Sequence, residues 1–185
     1  MSEPTLVPIV PTHVDTIFEG RVITLRLETI TLPKGDELKA EIIRHPGSVV
    51  ILPVTDSGEI VLVRQYRHAI GQWAWELPAG SLKPHEDPEA AAVRECHEEV
   101  GLVPTGVERL GALFPTPGYC DEKMTFYRAV GLRRPQAGDA QAQPDDDEDI
   151  EPRAFSIEAV RSMIASGEVI DMKTVAGLAL LARHG

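Results

Sequence analysis

Cysteines, aromatic residues and cations are all scarce in this 185-residue chain. The only cysteines are Cys96 and Cys120, too few for a disulfide framework, which favours a reducing cytoplasm over an oxidising compartment. Aromatic side chains make up 5% of residues, so the core has to be built from aliphatic ones. Lysine and arginine number 18 against 29 aspartates and glutamates, a net charge of −11. That balance excludes a nucleic-acid backbone as the main partner. It also means that an anionic substrate needs bound cations and a few local arginines, because the overall field repels it. No apolar run approaches the roughly 18 residues of a membrane span, so no membrane partner is expected. The opening MSEPTLVPIVPTHVD is broken by prolines and has no basic start, so a secretory leader is not expected either. What remains is an ordinary soluble composition, 43% hydrophobic and 25% charged, at a length that suits one well-packed core.

Apolar residues nearly alternate through 16–32, with Gly20-Arg21 between, which predicts two short strands or one bent one. Pro33-Lys34-Gly35-Asp36 is turn chemistry, and 38–44 makes the returning strand. Residues 1–45 thus form an N-terminal antiparallel β extension ahead of a main domain over 46–185. There, 49–54 is a continuous apolar run, the mark of a buried strand. Residues 56–59 predict a hairpin turn, with 60–66 as its partner strand, and 73–77 is a short strand that delivers Pro78-Ala79-Gly80 as a loop. Two more strands are expected at 107–113 and 125–130, separated by a Pro- and Gly-marked loop. Residues 136–144 read as a loop that ends in the acidic run 145–149. Pro152 confines the strand at 150–155 to an edge. Ser156 caps one terminal helix and Asp171 opens another. Mixed sheets with helices on both sides make an α+β fold, an α/β/α sandwich.

The most informative stretch is 76–102, ELPAGSLKPHEDPEAAAVRECHEEVGL. Asp87 is a helix N-cap, Pro88 suits the first turn, and Gly101 closes the helix. Glu95 and Glu99 are four apart and share one face, with Glu98 beside them. Carboxylates this close repel one another unless a cation neutralises them, and oxygen clusters suit the hard ions Mg²⁺ or Mn²⁺. Arg94 is placed to pair with Glu98, which would leave Glu95 and Glu99 to face the metal. The bland alternative is a solvated helix face carrying Arg–Glu pairs. Arg64 and Arg67 fall on opposite faces of their strand, so only one can point at a substrate. His45 and His68 are nitrogen donors and a poor match for a hard ion, so both are taken as structural.

Gly80, Glu86, Arg94, Glu95, Glu98, Glu99, Gly101 and the apolar Leu102 together resemble the signature of the Nudix hydrolases. One departure is Cys96, where the family prefers an aliphatic residue. VRQYRHAIGQWAWELPAG, PTPGYCDEK, DEDIE and DMKT look like the ADP-ribose pyrophosphatase branch. The resemblance implies a Nudix-type sandwich and Mg²⁺-dependent hydrolysis, with Mn²⁺ as the other metal, of ADP-ribose to AMP and ribose 5-phosphate. Two other activities stay open: cleavage of a different nucleoside diphosphate sugar, and a sensor that binds ADP-ribose without hydrolysing it.

The resemblance also implies roles. Glu95, Glu99 and the carbonyl of Ala79 would hold metal, Glu98 would be a supporting or third ligand, and Arg94 would orient the carboxylates. Glu148 would be either general base or metal ligand, with Asp146 a shorter candidate for the base. Arg67 would contact phosphate, against its reading as a surface ion pair. Trp73 would stack on the base or, like Trp75, simply pack. Glu76, Gly118 and Glu122 would line the substrate, and Lys173 is typical of the branch without an assigned role. Relatives pair through the N-terminal strands, so a homodimer is implied.

Overall fold

This computed structural model describes residues 9–139 and 149–184. The chain forms two compact units: one holds the residues up to Pro46 together with Thr116–Glu122, the other Gly47–Pro115 and the chain from Lys123 onward.

In the first unit β1 (His13–Glu19), β2 (Thr24–Thr31) and β3 (Glu37–Arg44) form an antiparallel sheet in that order. Two strands therefore replace the alternating run. The Gly20 N–H donates to the Ile23 carbonyl at 2.9 Å, and a Cβ at Gly20 would lie 2.7 Å from the Phe18 ring. Every residue of β1 is exposed, Val14, Ile17 and Phe18 included. The segment Thr116–Glu122 is tied to β3 by two backbone bonds, Ile43 N–H to the Tyr119 carbonyl and Asp121 N–H to the Ile43 carbonyl. Arg44 secures it further, donating to Asp121 at 3.0 Å and to the buried Glu28 at 2.7 Å.

The second unit has two sheets. One runs β7 (Ala79–Ser81), β4 (Ser48–Pro53), β9 (Met124–Val130), β8 (Gly106–Leu113); the other runs β10 (Ile150–Phe155), β5 (Ile60–Arg67), β6 (Gln72–Glu76). The expected hairpin of 49–54 with 60–66 is not formed. The turn itself closes, with Gly58 N–H on the Thr55 carbonyl at 2.9 Å, but the strands part after a single bridge between Val54 and Ile60. β4 instead pairs in parallel with β9 and antiparallel with β7. A strand with every residue buried gains most at the centre of a sheet, with partners on both edges. The second correction is β7 itself, where a loop was expected: Ala79 and Gly80 pair with Val50 and Val49. Pro152 does sit on an edge strand, opposite Val63.

Alternation along β4 sends Val50 and Leu52 to one side and Val49 and Ile51 to the other. The first pair packs with Leu77, Phe126, Val160, Met163 and Leu180. The second packs with Ala91, Ala92 and Cys96. The sheet layer is thus covered on one side by α1 (Pro88–Glu95) and on the other by α2 (Ile157–Ser166) and α3 (Met172–His184), an α+β sandwich. Ser156 caps α2 by accepting from Ala159 N–H at 3.1 Å. Asp171 does the same for α3, accepting from Thr174 N–H at 2.9 Å. Among the described residues no helix is long and apolar enough to cross a membrane.

Gly177 lets α3 lie close against the sheet. A Cβ there would meet Leu77 Cδ1 at 2.5 Å and Leu52 Cδ1 at 3.3 Å, and both leucines are wholly buried. Alanine gains about 1 kcal/mol of helix propensity over glycine, while overpacking a filled core costs roughly 1–3 kcal/mol. Overpacking wins, so Gly177→Ala is expected to lower the thermal midpoint in calorimetry despite its better helix propensity. A raised midpoint would show that α3 is not seated this closely.

Candidate active site

The carboxylate-bearing helix begins as the sequence predicts. Asp87 accepts from Ala90 N–H at 3.1 Å, Pro88 opens the first turn, and Gly101 closes the end in the left-handed conformation at φ 74°. Its final turn, Cys96–Val100, is π-helical rather than α-helical. A π turn takes more residues per revolution, so residues four apart drift less around the axis than in an α-helix. That winding favours the stacking of Glu95 and Glu99.

Arg94 organises the acids. Its Nε and Nη2 donate to the two oxygens of Glu86 at 2.7 and 2.9 Å, a bidentate pair. Its Nη1 donates to both Glu95 Oε1 and Glu98 Oε2, each at 2.6 Å. The pairing with Glu98 is the expected one; Glu95 is held as well, and Glu86 is a partner that the signature spacing contains but that had no assigned role. The bonds to Glu86 come first in raising the guanidinium above its ordinary value, against the cost of burial, and the same bonds hold the Glu86 carboxyl below the usual carboxylate range. The Glu86 contact therefore stabilises the fold above the ordinary carboxyl value and is lost as pH falls through the lowered one.

Glu95 and Glu99 are buried, at 7% and 6% exposure. Glu99 Oε2 accepts from the Ala79 N–H at 3.3 Å, which ties the helix to β7. Gly80 leaves room for the Glu95 carboxylate: a Cβ would lie 2.0 Å from Glu95 Oε1 and would displace it from its place beside Arg94. The metal donors gathered here are carboxylate oxygens, a set that suits Mg²⁺ or Mn²⁺. Burial, then the Glu99 charge, pushes the Cys96 thiol up to about 12, so it stays protonated at neutral pH and is no ligand. Among the described residues no three acidic, His or Cys side chains close into a complete cage. A small hard ion needs none, because it keeps waters and takes one or two carboxylates plus substrate oxygens.

A second charged cluster lies upstream of Ala79 on the same stretch. Glu76 accepts from Arg67 Nε at 2.7 Å and from Lys173 Nζ. Lys173 also reaches Asp171 at 3.2 Å, and Asp171 accepts from the Thr174 hydroxyl at 2.6 Å. That hydroxyl in turn accepts from Leu77 N–H at 2.9 Å. Arg67, Glu76, Asp171 and Lys173 form one wall of a cavity of about 360 Å³ that is otherwise mostly apolar, with Ile70, Met124 and Ile170 in its lining. Arg64, on the other face of β5, lies 5.1 Å over the exposed Trp73 ring. Trp75 is buried edge-on against Phe155 at 5.0 Å, which makes it core. Gly118 and Glu122 lie in the first unit, on the segment that Arg44 secures. Asp146 and Glu148 fall outside the described residues. Sequence reasoning gave Asp171 only the opening of the last helix and Lys173 and Thr174 no role; the signal for the cluster was the DMKT string.

Residues 44–175 match the family described as NUDIX domain, and the chain belongs to that family. Three relatives lie close to one another in similarity. An ADP-ribose pyrophosphatase of Bacillus subtilis is 36% identical over 86% of this chain and 85% of its own. A methanol dehydrogenase activator of Bacillus methanolicus is 35% identical over 87% and 85%. An ADP-ribose pyrophosphatase of Mycobacterium tuberculosis is 34% identical over 89% and 78%. The fold is similar to that of a solved ADP compounds hydrolase, with a TM-score of 0.82 at 20% identity over 98% of this chain and 96% of that one.

Proposed function

We propose that the protein hydrolyses the pyrophosphate of ADP-ribose to AMP and ribose 5-phosphate in the presence of Mg²⁺. The observation that carries this reading is the buried Glu95–Glu99 pair, with Glu95 held by Arg94 against Gly80 and Glu99 held by the Ala79 N–H. Two relatives named as ADP-ribose pyrophosphatases, at 36% and 34% identity, support the substrate. A pyrophosphate resists water because its anionic oxygens repel the nucleophile. Glu95, Glu99 and the Ala79 carbonyl would hold the divalent ions. When bound, those ions neutralise the substrate oxygens and acidify a water. Arg94 keeps the carboxylates in place, and Arg67 offers its guanidinium to a phosphate oxygen. In the reaction the water oxygen bonds to one phosphorus, the bridging P–O bond breaks, and each product leaves with one phosphate. The two free thiols, one of them buried, support a cytoplasmic location.

Mass spectrometry of wild-type protein with ADP-ribose and Mg²⁺ is expected to show AMP and ribose 5-phosphate. Glu99→Gln and Glu95→Gln should each lower kcat by at least ~10²-fold with the fold intact. Rapid cleavage of a hexose nucleotide beside inert ADP-ribose would overturn the substrate. Near wild-type turnover in either variant would remove the helix as metal platform.

The first unit motivates a homodimer. Its strand β1 is exposed along its whole length and carries Val14, Ile17 and Phe18, apolar surface that a second copy would bury. Light scattering at micromolar concentration is expected to give twice the chain mass, and Phe18→Asp should shift that toward one chain mass. A fully active wild-type monomer would dismiss the dimer.

A further inference from the structure

Lys173 is 7% exposed, which makes it a buried ammonium, and a buried ammonium is costly unless it is paired. Its partners are Glu76 and Asp171. Glu76 is itself buried at the end of β6 and stands between two cations, giving one oxygen to Lys173 and the other to Arg67 Nε at 2.7 Å. Arg67 is different in kind. Its side chain is 41% exposed and lines the cavity, and the one hydrogen bond that side chain makes among the described residues is from Nε. Its two Nη groups have no protein acceptor among those residues and keep four N–H donors available. Such a fork recognises oxyanions, and it does so only when its plane is fixed.

We infer that Lys173 is a positioning residue for anion binding: held by Asp171, it fixes Glu76, and Glu76 fixes the Arg67 fork that receives a phosphate group in the cavity. A carboxylate bonded to Arg67 alone could swing with it. Anchored on its other oxygen by an ammonium from the first turn of α3, it becomes a fixed seat. This rests on the reading of the site as one for a nucleoside diphosphate, and it gives α3 a task in that site.

The experiment uses equilibrium binding of α,β-methylene ADP, which cannot be hydrolysed at its bridge, measured by calorimetry on the full chain. Arg67→Ala and Lys173→Met should each weaken binding about 10-fold, and the double variant should be no worse than Arg67→Ala alone, because Lys173 acts only through Arg67. Lys173→Arg, which keeps a donor toward Glu76, should recover most of the affinity. Asp171→Asn can still cap α3, so it should keep the fold and weaken binding in the same direction. That variant carries the comparison should Lys173→Met fail to fold by circular dichroism. Wild-type affinity in either Lys173→Met or Asp171→Asn would overturn the inference. So would losses that multiply in the double variant, or a wild-type protein that does not bind the analogue. Turnover of ADP-ribose by wild-type protein, assayed separately with Mg²⁺, decides the pyrophosphatase reading independently.

Discussion

A single guanidinium shared among three carboxylates is the interaction on which the site depends. Glu86, Glu95 and Glu98 all receive hydrogen bonds from Arg94. Without it, acids packed this tightly would repel one another or take up protons, and either outcome would empty the helix face of charge. Lysine could not substitute, because a point charge cannot grip one carboxylate with two parallel bonds while turning a third donor to two others. Through Glu86 the same residue also clamps the loop before the helix, so the N-cap, the helix and the π turn are held as one piece.

The two charged clusters grip the two ends of the link from β6 to β7. Toward the N-terminal end, α3 holds Glu76 through Lys173 and holds Leu77 N–H through Thr174. A few residues on, the π turn holds Ala79 N–H through Glu99, and β4 pairs with Ala79 and Gly80. Between these anchors lies only Pro78, whose carbonyl accepts from Ile51 N–H at 2.9 Å. The segment that carries the proposed metal-binding carbonyl therefore has little freedom, as preorganised catalysis requires.

Much of this could be read from residues alone, and the physics says which parts. The cap at Asp87, the stop at Gly101 and the pairing of Arg94 with Glu98 are local in sequence, where spacing fixes geometry. The parting of β4 from β5 is a competition between sheet partners more than seventy residues apart, and no local pattern reports on it. β7 is too short for periodicity and contains a glycine, so it reads as a loop until its partner strand is known. Lys173 meets Glu76 across 97 positions of sequence, beyond any motif. The same strand face offered two tryptophans as equals, and only packing separates buried Trp75 from exposed Trp73.

The central claim is that Arg94 sets the geometry of a carboxylate platform for divalent cations. Paramagnetic titration with Mn²⁺, comparing wild type with Arg94→Lys, tests it most directly because the substitution keeps the charge and removes the fork. Loss of an orienting partner typically costs roughly 10–100-fold in metal affinity. A loss of that size in a variant with native circular dichroism is the predicted result, and Mn²⁺ affinity equal to wild type would contradict the account.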